Sequence, residues 1–573
     1  MFHLIARLIL LILAFSCSTA PKHQVDLYPG QLRADHEAWA DKVMVSSQGA
    51  NSTQAALKMI ELGGNAVDAA VALSFAISVE RPQSTGIGGG GFMLLWDKSM
   101  QEPVAVDFRE KAPLKAHSKM YLDTKGNEIK RKSLDGIFAA GVPGLVAGVL
   151  SVHKKYGKLP LSIVMQPAIN LANNGFEVYA HLQKAIAARF DVIRKFPASM
   201  KIFSKNGKPL VAGDLLVQKD LGKTLSLISQ YGRDGFYKGY VAKKIIATSK
   251  KYRGLISYQD LISYNVKYRR PLTGRFRGRD IYSMPPPSSG GAHVVQILNI
   301  LEGFDLKRFG FGHHRSVHLT AQAMQAAFYD RAKYMGDSDF VKVPVKGLTN
   351  KNYAKKLASQ FNLQSARKLA ELKNFNAWDY ESDETTHFTI IDRQGMTVSS
   401  TQTINGWMGS GLVVEGTGIL LNNEMDDFST KPGASNLFGA IGSKQNLVSP
   451  QKRPLSSMSP TIIMSDKKPV LALGTPSGTR ILTCVAQTIL NYLEYDMDLY
   501  SAVASTRIHH QWSPDHLRIG APYFSVDTMN KLKEMGHTIS KKDLGCKIQA
   551  IAIENGKLHG VSDPRGTGLS KGI

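Results

Sequence analysis

Two apolar spacings share this chain, one before residue 384 and one after it. NSTQAALKMIELGGNAVDAAVALSFAISV, residues 51–79, reads as two helices broken at Gly63-Gly64. Asn51 or Ser52 is the predicted cap of the first, and Ala, Val, Ile and Leu run through the second. Residues 140–380 read mostly as helix with Gly and Pro punctuation, and SMPPPSSGGAHVVQILNILEGF within them is a Pro/Gly turn entering a buried helix. After 384 the period shortens. THFTIIDRQGMTVSST alternates every second residue around an Arg-Gln-Gly turn, which predicts a hairpin. GLVVEGTGILLNN adds strand, PTIIMSDKKPVLALG is a second hairpin, and SGTRILTCVAQTILNYLEY is a helix. Strand-rich and helix-rich parts in one chain predict a layered α/β or α+β fold.

Two stretches carry residues that invite a ligand reading. STGIGGGGFMLLWD is rich in glycine, but no Lys-Ser/Thr comes after it and a strand, not a helix, is next. Close backbone packing at a turn into a buried strand is the reading taken, rather than a phosphate cradle. His313, His314 and His318 lie in HHRSVHLTAQAMQAAFYDRAKYM, the last two at an i,i+4 spacing that suits a metal. Neither a carboxylate nor a cysteine completes a set there, so a helix start with satisfied histidines is expected.

Composition adds limits. At 573 residues and 43% hydrophobic content the chain can bury a large core, as two to four ordinary domains or one large one. The 71 basic and 46 acidic side chains leave a net charge of +25. They are spread along the chain with no RNP, zinc-knuckle or basic-zipper pattern, so nucleic acid is not an expected partner. MFHLIARLILLILAFSCSTAPKHQ, residues 1–24, has a basic start and an apolar run too short to span a bilayer, as in an export signal. Residues 13–17, LAFSC, also resemble a lipoprotein box, which makes Cys17 a candidate lipid anchor and leaves periplasm or outer membrane as the destination. No later run reaches 18 apolar residues. Cys484 and Cys546 remain, in different contexts; a disulfide between them is one option, and no zinc spacing accompanies them.

Neither a G-x-S-x-G elbow nor HExxH is found. The acidic ESDE at 381–384 runs straight into Thr385-Thr386 and the first hairpin. On the residues alone, two threonines at a strand start are ordinary strand formers. A second option exists if the bond before Thr385 is broken. An N-terminal threonine joins a hydroxyl to a free α-amino group of pKa about 7.7–8.0, which takes the hydroxyl proton near neutral pH.

The wider sequence supplies a context. VDFREKAP, TTHFTIIDRQG, STQTING, LNNEMDDFSTKPG, KRPLSSMSPT and GTPSGTRI, with GGNAVDAAVA and PQSTGIGGGGFM, resemble the γ-glutamyltranspeptidase (glutathione hydrolase) family in order and spacing over nearly the whole mature chain. The resemblance implies a four-layer αββα sandwich of the N-terminal-nucleophile hydrolase type. It implies self-cleavage between Glu384 and Thr385, giving a large chain 25–384 and a small chain 385–573 that stay together as a heterodimer. Thr385 is then the nucleophile and Thr403 the threonine that steadies it. Arg109 clamps the carboxylate of a small γ-glutamyl substrate, a task suited to a guanidinium fork. Ser456 and Ser457 donate to the same carboxylate, while Asn405, Glu424 and Asp427 take the ammonium. The backbone N–H groups of Ser477 and Gly478, at a helix start, form the oxyanion hole. No metal or organic cofactor is implied.

Two positions depart from the family pattern. Ser477 stands where the family has glycine, which demands a backbone a side chain tolerates. Phe438, in the lid-like STKPGASNLFG, replaces a tyrosine that bonds the ammonium-site asparagine, and a looser lid is expected. Other readings keep the nucleophile but change the donor, to a cephalosporin side chain or poly-γ-glutamate, or make the chain an inactive surface-binding protein. A glutaryl site does not need Asn405, Glu424 and Asp427; their presence favours a γ-glutamyl donor.

Overall fold

A computed structural model describes residues 30–368, 377 and 389–573. Fourteen strands build its two large sheets: β1 (Glu37–Ala40), β2 (Val43–Ser47), β3 (Gly90–Trp96), β4 (Val104–Phe108), β5 (Lys267–Arg269), β6 (Leu272–Phe276), β7 (Arg279–Ser283), β8 (Thr389–Asp392), β9 (Thr397–Thr403), β10 (Thr461–Ser465), β11 (Lys468–Gly474), β12 (Gln549–Glu554), β13 (Lys557–Ser562) and β14 (Leu569–Gly572). One sheet runs β1-β13-β12-β11-β10-β7-β6 and the other β14-β2-β8-β9-β3-β4-β5. Every pairing within them is antiparallel.

Alternation along the strands divides the core. Val43, Val45, Met93 and Leu95 face α1 (Ala50–Glu61), α2 (Ala66–Glu80), α3 (Leu145–Tyr156) and α4 (Leu161–Asn174). Met44, Phe92, Leu94 and Trp96 point the other way, into a cluster with Ile462, Leu471 and Leu473 of the second sheet. That cluster continues into α5 (Gly290–Leu301), α6 (His314–Tyr334) and α7 (Arg480–Leu493). The layers are therefore helix, sheet, sheet, helix: an α+β sandwich of the expected αββα type.

Both predicted hairpins form, as β8-β9 and β10-β11. The cap of α1 does not come from Asn51 or Ser52. Instead the Glu80 carboxylate, at the end of α2, accepts from the backbone N–H groups of Asn51 (3.0 Å) and Ser52 (2.9 Å). An anion there complements the positive helix end. The glycine run is a packing device. A Cβ on Gly89 would lie 2.0 Å from the Thr403 carbonyl, and one on Gly91 2.4 Å from that of Thr401. His313 caps α6 through Nδ1, and His318 bonds the His537 ring and the Asn362 carbonyl, both at 2.7 Å. Cys484 and Cys546 do form a disulfide, with Cα atoms 6.6 Å apart, tying α7 to the segment before β12.

Outside the core, His559 of β13 is held between Glu37 (2.7 Å) and Glu554 (2.8 Å), with Trp39 stacked on its ring at 3.9 Å. Burial opposes the charged ring, but the bonds to the two carboxylates outweigh it and raise its pKa. The cluster's contribution from His559 is therefore complete below the ordinary histidine value and is lost as pH rises through the raised one. Melting curves from pH 6 to 9 should show a steeper loss of Tm for the wild type than for His559→Gln; equal slopes would contradict this assignment.

Candidate active site

Arg109 leaves the end of β4 and is 1% exposed. A guanidinium so deep needs partners, because an unpaired buried charge is expensive. It finds them in the 421–428 loop: Nη1 bonds Glu424 and Nη2 donates to Asp427 Oδ2 at 2.7 Å, while Nε donates to the Pro454 carbonyl at 3.2 Å. Burial works against its charge, and Glu424, Asp427 and Glu110 more than restore it, so its pKa is raised.

The carboxyls bear the electrostatic strain of crowding. Glu110 is fully buried, 3.9 Å from Arg109, and neither of its oxygens has a hydrogen-bond partner among the described residues. Burial pushes Glu110 up to about 7, against the pull of Arg109. Burial likewise raises Glu424 and Asp427. Three carboxyls around one guanidinium leave an excess of negative charge when all are ionised. A proton lowers that excess by one charge, and so does a ligand ammonium.

The 421–428 loop is held in place by buried amides. Asn422 Oδ1 accepts from the N–H groups of Gly141 (2.9 Å) and Glu424 (3.0 Å), and its Nδ2 donates to Gly88 and Gly141 carbonyls. Asn423 Oδ1 accepts from Gly406 N–H at 2.9 Å. Its carbonyl accepts from Asn405 Nδ2 at 3.0 Å. Asn405 comes after β9 at φ +72°, a left-handed conformation that asparagine tolerates, and its N–H donates to Thr403 Oγ1 at 2.7 Å. Thr403, Asn405, Glu424 and Asp427 are thus one connected unit with Arg109.

Ser456 and Ser457 are 2% and 6% exposed, in the loop leading to β10. The Ser456 carbonyl accepts from both N–H and Oγ of Ser289, each at 2.8 Å. Arg331, on α6, donates to Ser457 Oγ at 2.9 Å.

The third wall is the turn into α7. Ser477 has φ +125° and Gly478 φ +54°. The first is a conformation that glycine adopts freely and a side chain resists. Ser477 is fixed in it by its hydroxyl, which donates to the Leu544 carbonyl at 2.6 Å, while Arg480 Nε donates to the Ser477 hydroxyl oxygen at 3.1 Å and to the Leu544 carbonyl at 2.7 Å. The Cys484–Cys546 disulfide fastens the same two segments one turn further along. Among the described residues the N–H groups of Ser477 and Gly478 meet no backbone acceptor, so both donors remain available.

Phe438 packs its ring on this turn: a Cβ added to Gly478 would stand 2.3 Å from the ring Cδ1. The 429–439 loop is not loose at its base. Asn436 Nδ2 donates to Asp427 Oδ1 at 2.8 Å, and Leu437 N–H to Asp426 Oδ2 at 2.7 Å. Gln511 Nε2 donates to the Gly439 carbonyl at 3.1 Å. These bonds join the loop to Asp426, Asp427 and Gln511, whereas the tyrosine of the family pattern bonds the ammonium-site asparagine.

Of the residues singled out in the sequence, Thr385 and Glu384 lie outside the described residues, as does Cys17. The others surround one region. Sequence reasoning missed Glu110, Asn422, Asn423, Ser289 and Arg331. Glu110 and the Asn pair stand inside the quoted motifs, directly beside Arg109 and Glu424, which was a usable signal.

Comparison with known proteins agrees with this geometry. The family model described as gamma-glutamyltranspeptidase matches residues 52–573. The glutathione hydrolase proenzyme of Escherichia coli (strain K12) is 44% identical, over 96% of this chain and 95% of that one. Among solved structures, the cephalosporin acylase from Bacillus halodurans matches with a TM-score of 0.83 and 26% identity, over 95% of this chain and 97% of that one. The gamma-glutamyltranspeptidase of Helicobacter pylori is 46% identical, with a TM-score of 0.56 over 57% of this chain and 94% of that one. On sequence, fold and the composition of its buried polar cluster, the chain belongs to the gamma-glutamyltranspeptidase family.

Proposed function

We propose that this enzyme transfers γ-glutamyl groups from glutathione and related compounds to water or to amino-acid and peptide acceptors, with Thr385 as nucleophile. The observation that carries the reading is the buried Arg109–Glu424–Asp427 cluster. A glutamyl end brings one carboxylate and one ammonium, and the cluster offers a cation and anions within one unit.

In this mechanism Thr385 Oγ attacks the Glu384 carbonyl, the amide C–N bond breaks as the acyl group shifts to oxygen, and water hydrolyses the resulting ester to give the Glu384 carboxylate and a free Thr385 amine and hydroxyl. That amine takes the hydroxyl proton as Oγ attacks the γ-carbonyl. Negative charge develops on the carbonyl oxygen and is met by the N–H groups of Ser477 and Gly478. Collapse expels the leaving amine and leaves an ester on Thr385, which water or an acceptor amine then cleaves. Thr403 steadies the nucleophile. Arg109, Ser456 and Ser457 hold the donor carboxylate, and Asn405, Glu424 and Asp427 its ammonium.

The word proenzyme in the name of the E. coli relative supports two chains from one precursor. The proposed chains are 25–384 and 385–573, and residues 1–24 direct export to the periplasm or, with Cys17 lipidated, to the outer membrane. Among the described residues no helix is long and apolar enough to cross a membrane. An acylase reading draws on the fold match to the cephalosporin acylase. The complete ammonium set favours the γ-glutamyl donor over it, and poly-γ-glutamate, whose end resembles free glutamate, remains a second donor class.

A denaturing gel of the purified wild type should give two fragments near a 2:1 mass ratio, the smaller starting at Thr385 by N-terminal sequencing. Thr385→Ala should remain one chain and lose γ-glutamyl anilide hydrolysis. A single intact band from active wild type would sink the processing step. At the oxyanion turn, Ser477→Gly keeps the donor and relieves the backbone, so kcat should stay within about threefold of wild type. Ser477→Val adds a β-branched side chain at positive φ, a strain on the order of 1–3 kcal/mol. Its kcat should fall about tenfold or more in the same assay; equal rates for the two variants would remove Ser477 from the hole.

A further inference from the structure

α6 carries an arginine with an unusual lack of company. Arg331 is 5% exposed, yet no Asp or Glu among the described residues lies within ion-pair distance of it. Its partners are hydroxyls: Nε donates to Ser289 Oγ and Nη2 to Ser457 Oγ, both at 2.9 Å. Burial lowers its pKa to about 10, with Asp427 pulling the other way, so the group is still a cation at neutral pH. A buried guanidinium hydrogen-bonded only to neutral oxygens, with Asp427 acting on it from beyond ion-pair distance, gains from the arrival of an anion.

Hydrogen-bond direction says where that anion belongs. A guanidinium only donates, so Ser457 Oγ must accept from it and keeps its own proton for another acceptor. Ser289 gives its proton to the Ser456 carbonyl at 2.8 Å. Ser456 Oγ accepts from Met458 N–H at 3.2 Å, which also leaves its hydroxyl proton to give. Ser456 and Ser457 therefore each keep a hydroxyl proton to donate, with the Arg331 charge behind Ser457. Arg109, by contrast, already has Glu424, Asp427 and the Pro454 carbonyl on its three nitrogens. A carboxylate approaching Arg109 meets a cation whose charge is largely answered.

We infer that Arg331 is a second recognition cation for the α-carboxylate of the γ-glutamyl donor, acting through Ser457 as a positioning residue. The inference rests on the γ-glutamyl reading above and adds to it a buried cation whose hydrogen bonds go to serine hydroxyls rather than to carboxylates. A purely structural pin between α6 and the 456–457 loop would make the same two bonds, so the test has to separate carboxylate recognition from folding.

Arg331→Met and Arg331→Lys are compared with wild type, using γ-glutamyl anilide turnover with L-glutamate and 4-aminobutyrate as competitive inhibitors. 4-Aminobutyrate is glutamate without the α-carboxylate. In Arg331→Met, KM for the anilide and Ki for glutamate should each rise about tenfold or more, the usual scale for losing a charge-assisted hydrogen bond. kcat should stay within about threefold, because the lost contact is made equally in ground and transition states. Ki for 4-aminobutyrate should not change, and Arg331→Lys should recover part of the loss. Adding Arg331→Met to Ser457→Ala should cost less than the product of the two single effects. Parallel weakening of both inhibitors, or no change in either, would overturn the inference. If Arg331→Met fails to give two fragments, the glutamate-to-aminobutyrate ratio in Arg331→Lys decides by the same criteria. Wild type without anilide turnover would instead refute the γ-glutamyl reading itself.

Discussion

A guanidinium 1% exposed between two carboxylates is the constraint around which the site is assembled. Arg109 follows the end of a strand, with its partners Glu424 and Asp427 on a loop more than three hundred residues further on and its third acceptor at Pro454. None of these groups tolerates burial alone, and removing one partner from such a pair typically costs about 3–5 kcal/mol. The loop conformation is accordingly overdetermined: Asn422 and Asn423 commit their amides to the backbone of Gly88, Gly141, Leu134 and Gly406. Charge pairing fixes which segments meet, and buried amides fix how they lie.

Backbone strain is concentrated on the opposite wall. Ser477 is held at positive φ by a hydroxyl bond to Leu544, and the Cys484–Cys546 disulfide closes the same gap. Two fasteners hold one short turn whose Ser477 and Gly478 N–H groups meet no backbone acceptor among the described residues. The glycines before β3 do related work by lack of bulk. They let that strand approach β9 closely enough for Thr403 to lie at the edge of the cleft.

Much of the architecture was legible in local pattern. The two hairpins, the helix at 480 and the break at Gly63-Gly64 each rest on spacing that a short window contains. The glycine run read correctly as packing because it leads into a strand rather than a helix. The features that escaped were set by contacts distant in sequence. Glu80 caps a helix that begins thirty residues before it, and no window around Ser52 announces that. Arg331 stands among residues that read as an ordinary buried helix; its significance lies in Ser457, 126 positions away. The motif residues were found through resemblance to a family, but the union of Arg109 with its acidic partners in one ion cluster, and the raised pKa of Glu110, come from burial, which spacing does not encode.

The order of strands carries a last consequence. In the sheet that holds β8 and β9, segments from before and after position 384 alternate: β14, then β2, then β8 and β9, then β3. A chain parted at that position keeps every one of these ladders, so nothing visible falls away. Its unfolded state, however, becomes two molecules instead of one. Refolding then needs an encounter, and the equilibrium between native and unfolded forms acquires a dependence on concentration. At low concentration, persistence of such a protein is governed by how slowly it opens, because the way back is no longer a property of a single chain.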